Sequence, residues 1–263
     1  MRRERELAER LATVLLQRAS VRQTTPPCDV ESVAYALGIR IARRSMPQAG
    51  RLVAGEAGWT IEVSADEHVV RQRFTIAHEL THWLLQNPGA DTSLTTELAD
   101  AWRSEERMCD TVAGAVLLPR DWLLAHFPFA QRAEQHSLAT IDHVARIAQI
   151  SLAATLVRLR DVLGWRHTLL HWTWEAGRWL FDGEAGVTVA QLGMVCPTEE
   201  TDWTLSTARG RGPIYQRLYI PLLIENREMD ISAELLVRSG SAVALVRLPY
   251  KQNGKIESDR IVV

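Results

Sequence analysis

Residues 78 to 82 read His78-Glu79-Leu80-Thr81-His82, a His-Glu-x-x-His spacing. On an α-helix, positions i and i+4 lie one above the other on the same face. Two imidazoles on adjacent turns can then hold one Zn²⁺, with Glu79 beside it to take a proton from an activated water. With 8 histidines in 263 residues, chance supplies this pattern only about 0.02 times per chain of this length. The spacing therefore points to a metal centre with His78 and His82 as ligands and Glu79 as general base.

Such a site needs a helix beneath both histidines. Apolar residues recur at Val70, Phe74, Ala77, Leu80, Trp83 and Leu84, close to helical spacing. Ser64-Ala65-Asp66-Glu67 has the S-x-x-E form of a capping box, which predicts a start just after Ser64. Asn87-Pro88-Gly89 supplies the stop. Catalytic zinc usually takes three protein ligands and keeps one position open. The extended metzincin pattern is excluded, because Leu85 and Pro88 stand where it requires Gly and His. A carboxylate on the next helix is the economical third ligand. Glu97 to Leu118 reads as that helix, with Leu98, Trp102, Cys109, Val112, Ala113 and Val116 on its apolar side. Glu106 falls on or near this face, whereas Glu105 points about 100° away. Asp110, four residues beyond Glu106, is placed to accept a hydrogen bond from a ligating imidazole. Cys109 can be weighed as a ligand too, but a small buried packing residue is the better reading.

Two stretches resemble the ImmA/IrrE family of zinc metallopeptidases. One is Arg71-Gln72-Arg73-Phe74-Thr75-Ile76-Ala77-His78-Glu79-Leu80-Thr81-His82. The other runs Glu106-Arg107-Met108-Cys109-Asp110-Thr111-Val112-Ala113-Gly114-Ala115-Val116-Leu117-Leu118-Pro119. The chain departs from the family pattern at Cys109 (usually Ala), Asp110 (usually Asn) and Val112 (usually Phe). The resemblance covers roughly residues 25 to 165. It implies His78, His82 and Glu106 as metal ligands, Glu79 as the base, a zincin-like fold, and intracellular cleavage of a repressor or another regulatory protein.

Hydrophobic content of 46%, charged content of 24% and a net charge of −2 are those of an ordinary soluble globular protein. That charge disfavours a large electrostatic footprint for nucleic acid. The charged start, Met1-Arg2-Arg3-Glu4-Arg5-Glu6, is not a secretory leader, and no apolar run reaches membrane-spanning length. Cys28, Cys109 and Cys196 are few and widely separated, so a disulfide framework is not expected. A cytoplasmic protein without membrane partners is the expectation.

The organisation expected is α+β: a zincin-like metallopeptidase domain over 1–125, a helix-turn-helix-like segment over 126–165 and a β-rich domain over 166–263. Leu7 to Ala19 reads as an amphipathic helix, and Asp29 caps a short helix that Gly38 ends. Arg51 to Ala54 and Trp59 to Val63 read as a hairpin. By analogy with zincins, it is the candidate edge strand for a substrate peptide. Ile141 to Ala148 and Leu152 to Leu163 form the helical pair; Arg158 and Arg160 on its second helix are weak grounds for duplex DNA as a partner. Beyond Trp165, strands are predicted at 168–174, 178–181, 214–224, 231–237 and 242–248, with Ser239-Gly240 as the last turn. Trp172, Trp174, Trp179 and Trp203 fit the core of that domain better than a ligand cavity. His167 and His171 are i,i+4, but on a strand they lie about 13 Å apart and cannot share a metal.

The functional expectation is a zinc-dependent metalloendopeptidase acting on a regulatory protein, a helix-turn-helix repressor, in a stress or mobile-element response. Two alternatives remain: a non-proteolytic regulatory binding protein on the same fold, and a DNA-binding regulator. Tyr35, Arg73 and Arg120 are the available oxyanion donors, and no pattern favours one of them.

Overall fold

The computed structural model describes residues 2–22, 24–87, 105–127, 137–165, 167–186, 195–197, 205, 214–224, 227–237, 240–247, 250–252 and 255–257. The chain divides into two compact units, residues 1–128 with 144–162, and residues 129–143 with 163–263. The expected helical segment 126–165 is thus shared between them.

In the first unit, helix α1 (Arg2–Arg18) places Leu7, Leu11 and Leu15 on one buried face. Helix α2 (Val30–Ala36) starts where Asp29 Oδ1 accepts from the Ser32 N–H at 3.1 Å. It is followed by Gly38, whose φ of +74° lets the chain turn where a side chain would be strained. A three-stranded sheet follows, from β1 (Arg40–Arg44), β2 (Gly50–Gly55) and β3 (Gly58–Ser64), in the order β1-β3-β2. Strand β3 pairs parallel with β1 and antiparallel with β2. Its Ile61 and Val63 are fully buried, while Glu62 on the opposite face is held between Arg44 and Arg51 at 3.2 and 2.6 Å.

Helix α3 (Val69–Gln86) carries the His-Glu-x-x-His run. It begins four residues later than the capping-box reading predicts. Ser64 is the last residue of β3: its N–H donates to Ala49 O and its hydroxyl to Met46 O. With its N–H and its hydroxyl both engaged by the loop that leads into β2, it cannot cap a helix. The ring of His68 does so instead, accepting from the Val70 N–H at 3.3 Å. Helix α4 (Glu105–Leu117) packs against both α3 and α1. The part of the expected helix before Glu105, with Leu98 and Trp102, lies outside the described residues, as do Pro88 and Gly89. The core joins Ile76, Ala77, Leu80 and Leu84 of α3 to Cys109, Val112, Ala113 and Val116 of α4. At Gly50 a Cβ would stand 2.3 Å from Thr75 Cγ2 and 3.0 Å from Glu62 O. Only glycine lets β2 approach α3 this closely.

Helix α5 (Arg120–His126) follows, then α6 (Leu138–Ala148) and α7 (Leu152–Leu163). Arg158 of α7 is 4% exposed; its guanidinium donates to Leu118 O at 2.8 Å and to both carboxylate oxygens of Glu9 at 2.6 and 3.0 Å. Arg160 pairs with Asp161.

The second unit is built on a six-stranded sheet of β4 (Thr168–Glu175), β5 (Arg178–Gly186), β6 (Val195–Pro197), β7 (Ile214–Ile224), β8 (Arg227–Val237) and β9 (Ser241–Val246). The order is β5-β4-β9-β8-β7-β6, every pair antiparallel. A separate ribbon joins β10 (Tyr250–Gln252) to β11 (Lys255–Glu257). Trp172 and Trp179 are buried in its core with Leu170, Leu235 and Val246, and Trp174 packs against them. These tryptophans are core residues. Trp203 and Ser239 lie outside the described residues. Among the described residues, no helix is long and apolar enough to cross a membrane.

Candidate metal centre

Helix α3 projects His78 and His82 from one face toward α4, with the two Nε2 atoms 3.1 Å apart. Glu106 of α4 faces both: Oε2 lies 3.2 Å from His78 Nε2, and Oε1 3.4 Å from His82 Nε2. Four donors around a tetrahedral zinc at about 2.0–2.1 Å stand roughly 3.3–3.4 Å from one another. The separations here match that spacing closely, so these donors fit a small tetrahedral cation. Both histidine side chains are mostly buried (14% and 15% exposed), while Glu106 is open to solvent on its outer side.

Each imidazole turns its other nitrogen to a carboxylate. His78 Nδ1 lies 2.9 Å from Asp110 Oδ1 and His82 Nδ1 lies 2.9 Å from Glu105 Oε1. Such partners fix the ring orientation and raise the basicity of the nitrogen facing the metal. Burial works against a charge on His78, but the hydrogen bond and charge of Asp110, with Glu79 and Glu106, outweigh it and hold the ring above the usual imidazole range. Asp110 therefore sits where its spacing predicts. Glu105 was not singled out by the sequence reading, which turned it away from the site. The carboxylate does diverge from Glu106 on the helix, and that divergence lets it reach the outer nitrogen of His82. Two ligating rings each need an outer acceptor, and that requirement is the signal that could have found it.

Glu79 is 8% exposed. Burial raises its pKa above the usual carboxylate range; His78 and His82 oppose the rise, Glu106 adds to it, and the Leu52 backbone of β2 hydrogen-bonds to it and opposes it. Glu79 thus lies beside β2, at the edge of the sheet. Cys109, one turn beyond Glu106 and fully buried, brings its Sγ within 4.8 Å of ligand atoms of both His78 and His82. Burial, with the charges of Glu105, Glu106, Asp110 and Glu79, raises the pKa of its thiol.

The expected oxyanion donors fare differently. Arg73 donates to Cys28 O at 2.7 Å and to Gln149 O at 3.3 Å, so it braces the fold. Tyr35 is 86% exposed and lines a surface cavity with Ser32, Ile39 and Ile41. Arg120 is exposed at the start of α5.

Residues 34–160 match the profile of the IrrE N-terminal-like domain, Peptidase_M78. The domain these residues build belongs to the ImmA/IrrE family. The match contains the histidine pair, Glu79, Glu105, Glu106 and Asp110, and it extends to α7. A solved structure of a Mycobacterium tuberculosis transcriptional regulator superposes with a TM-score of 0.51 at 15% identity, over 94% of this chain and 80% of that one. That is a likeness of fold. Among curated proteins, none matches the chain.

Proposed function

We propose that this ImmA/IrrE-family protein is a zinc-dependent metalloendopeptidase that cleaves a regulatory protein, a helix-turn-helix repressor. The observation that carries the reading is the convergence of His78 Nε2, His82 Nε2 and the Glu106 carboxylate within 3.1–3.4 Å of one another, with a buried carboxylate on the residue next to His78. His78, His82 and Glu106 would hold the cation, with Asp110 and Glu105 fixing the two rings. When bound, zinc supplies Lewis acidity, which polarises a carbonyl and makes water acidic near neutral pH. Glu79 accepts the proton of the attacking water and returns it to the leaving amine. The hydrogen bond with the Leu52 backbone keeps the carboxylate beside β2. That strand ends the three-stranded sheet, and an extended substrate segment added along it would lie next to the base. A hydrolytic reading is supported over a purely scaffolding one by Glu79 itself, because a metal-stabilised scaffold has no need for a buried carboxylate at that position.

The test is to incubate wild type and Glu79→Gln with stressed host proteome and to identify new protein termini. Glu79→Gln should keep its zinc and lose about 10²–10⁴ in rate. Termini that appear equally with both proteins would refute the hydrolytic mechanism.

A further inference from the structure

His78, His82 and Cys109, the first two half-buried and the last fully buried, offer ligand atoms that lie within 4.8 Å of one another. Glu106 differs from them. It is 72% exposed in its side chain, and among the described residues its ion-pair partners are the two imidazoles it faces. Cys109 shares helix α4 with Glu106 and sits one turn on, fully buried against the site. Its Sγ is therefore a donor held in reserve on the protein side of the centre, while the carboxylate lies on the solvent side. Sγ lies within 4.8 Å of the imidazole ligand atoms, a bound wider than the N···S edge of about 3.6 Å around a tetrahedral ion, so the thiol borders the centre. Thiolate is a soft ligand and carboxylate a hard one. The two donors offered by α4 thus differ in the cations they favour.

Resting on the reading of His78 and His82 as ligands, we infer that Cys109 is an additional, conditional metal donor, engaged by thiophilic cations and left as a packing residue otherwise. On engagement the S–H bond is lost, the proton passes to bulk buffer, and a sulfur–metal bond forms; no redox change occurs. Adding sulfur to two imidazoles and a carboxylate makes four protein donors. That is the ligand count of closed structural sites, whereas hydrolytic sites keep a position open. Cation identity would then set whether the centre is open or closed, and Cys109 is the residue through which this happens.

The experiment loads metal-free full-length protein with Cd²⁺ or Zn²⁺ and records the near-ultraviolet sulfur-to-metal charge-transfer absorption of the cadmium form. Affinities come from competition with a chelator. Wild type should show the absorption at one equivalent of Cd²⁺, and Cys109→Ala should lack it. Losing even an outer-shell partner commonly costs 10–100-fold in metal affinity, so Cys109→Ala should weaken Cd²⁺ at least about tenfold and leave Zn²⁺ within about threefold. Cys109→Ser, which keeps the volume, guards against a packing defect and should behave like the Ala variant. The inference is overturned if Cd²⁺ binds stoichiometrically without the absorption, or if Cys109→Ala retains it, which would assign the sulfur elsewhere; either result leaves the metal centre standing. Should neither cation bind, or should both bind His78→Ala as tightly as wild type, the underlying metal-site reading falls with it.

Discussion

Removing Glu105 should loosen zinc even though Glu105 is not proposed to touch it. Its Oε1 accepts from His82 Nδ1 at 2.9 Å, and that bond determines which tautomer presents a lone pair on Nε2. Loss of an outer partner typically costs 10–100-fold in metal affinity. Glu105 is 59% exposed in its side chain, so water can replace part of what the carboxylate provides. The low end applies, about tenfold or ~1.4 kcal/mol. Asp110→Ala should cost a similar amount through His78, its side chain being equally exposed at 59%. Glu106→Ala removes a direct donor and should exceed both, by more than about 100-fold. Zinc affinity measured by competition with a chromogenic chelator ranks the three, with circular dichroism to verify that each variant is folded. Glu105→Gln retains an acceptor oxygen and should recover part of the loss. If Glu105→Ala binds zinc as tightly as wild type while Asp110→Ala does not, the ring of His82 is oriented by something else, and the symmetric description of the two imidazoles is wrong.

Gly50→Ala should destabilise the first unit by about 1–3 kcal/mol through overpacking, since its Cβ would meet Thr75 Cγ2 at 2.3 Å; in urea melts, adding Thr75→Ser should restore part of the loss. Arg158→Ala strips Leu118 O of its donor and Glu9 of its partner, costing about 2–3 kcal/mol, below the fully buried case because Glu9 is a quarter exposed. The same variant should leave any duplex-DNA affinity unchanged in a gel-shift assay, since Arg158 is 4% exposed. Chelator treatment should lower the unfolding midpoint by roughly 5–10 °C, as expected when a ligand held well above its Kd is withdrawn; zinc should restore it, and His78→Ala should show no response.

The placement of the candidate site residues was more legible in the sequence than the frame around them. Spacing alone set His78 and His82 on one face, and the apolar pattern of the second helix brought Glu106 and Asp110 to the same side. Glu105 escaped because a helical wheel describes a helix and one facing wall. The nitrogens it must satisfy project sideways from another helix, and tertiary placement decides which carboxylate they meet. Strand β1 has no visible signature, as Arg40, Arg43 and Arg44 break any alternation. It forms because β3 supplies a parallel partner and because Arg43 finds Glu31 and Gln72. Ser64 shows the reverse error: a local capping pattern lost to strand β3 and to a hydroxyl bond with Met46 O that only the fold supplies. Five strands of the second unit were readable, Ile214–Ile224 to the residue, but β5 and β8 run past their predicted bounds and β6, β10 and β11 were missed. The order across the sheet was not readable either, because alternation marks a strand and says nothing of its neighbour.

The first unit is not contiguous in the chain, since residues 144–162 return to it after an excursion through 129–143. A fragment ended at residue 128 would retain His78, Glu79, His82 and Glu106 and still lose Arg158, the residue that ties α1 to the end of α4. Nicking within 129–143 should therefore leave α7 in place by its contacts, whereas genetic truncation there should not. The smallest inheritable unit that keeps this metal centre and its brace runs at least to 162, so its coding sequence carries part of the other unit with it. Recombination at a single junction cannot separate the two, and a change of partner for the β-rich unit must preserve the interleaved segment.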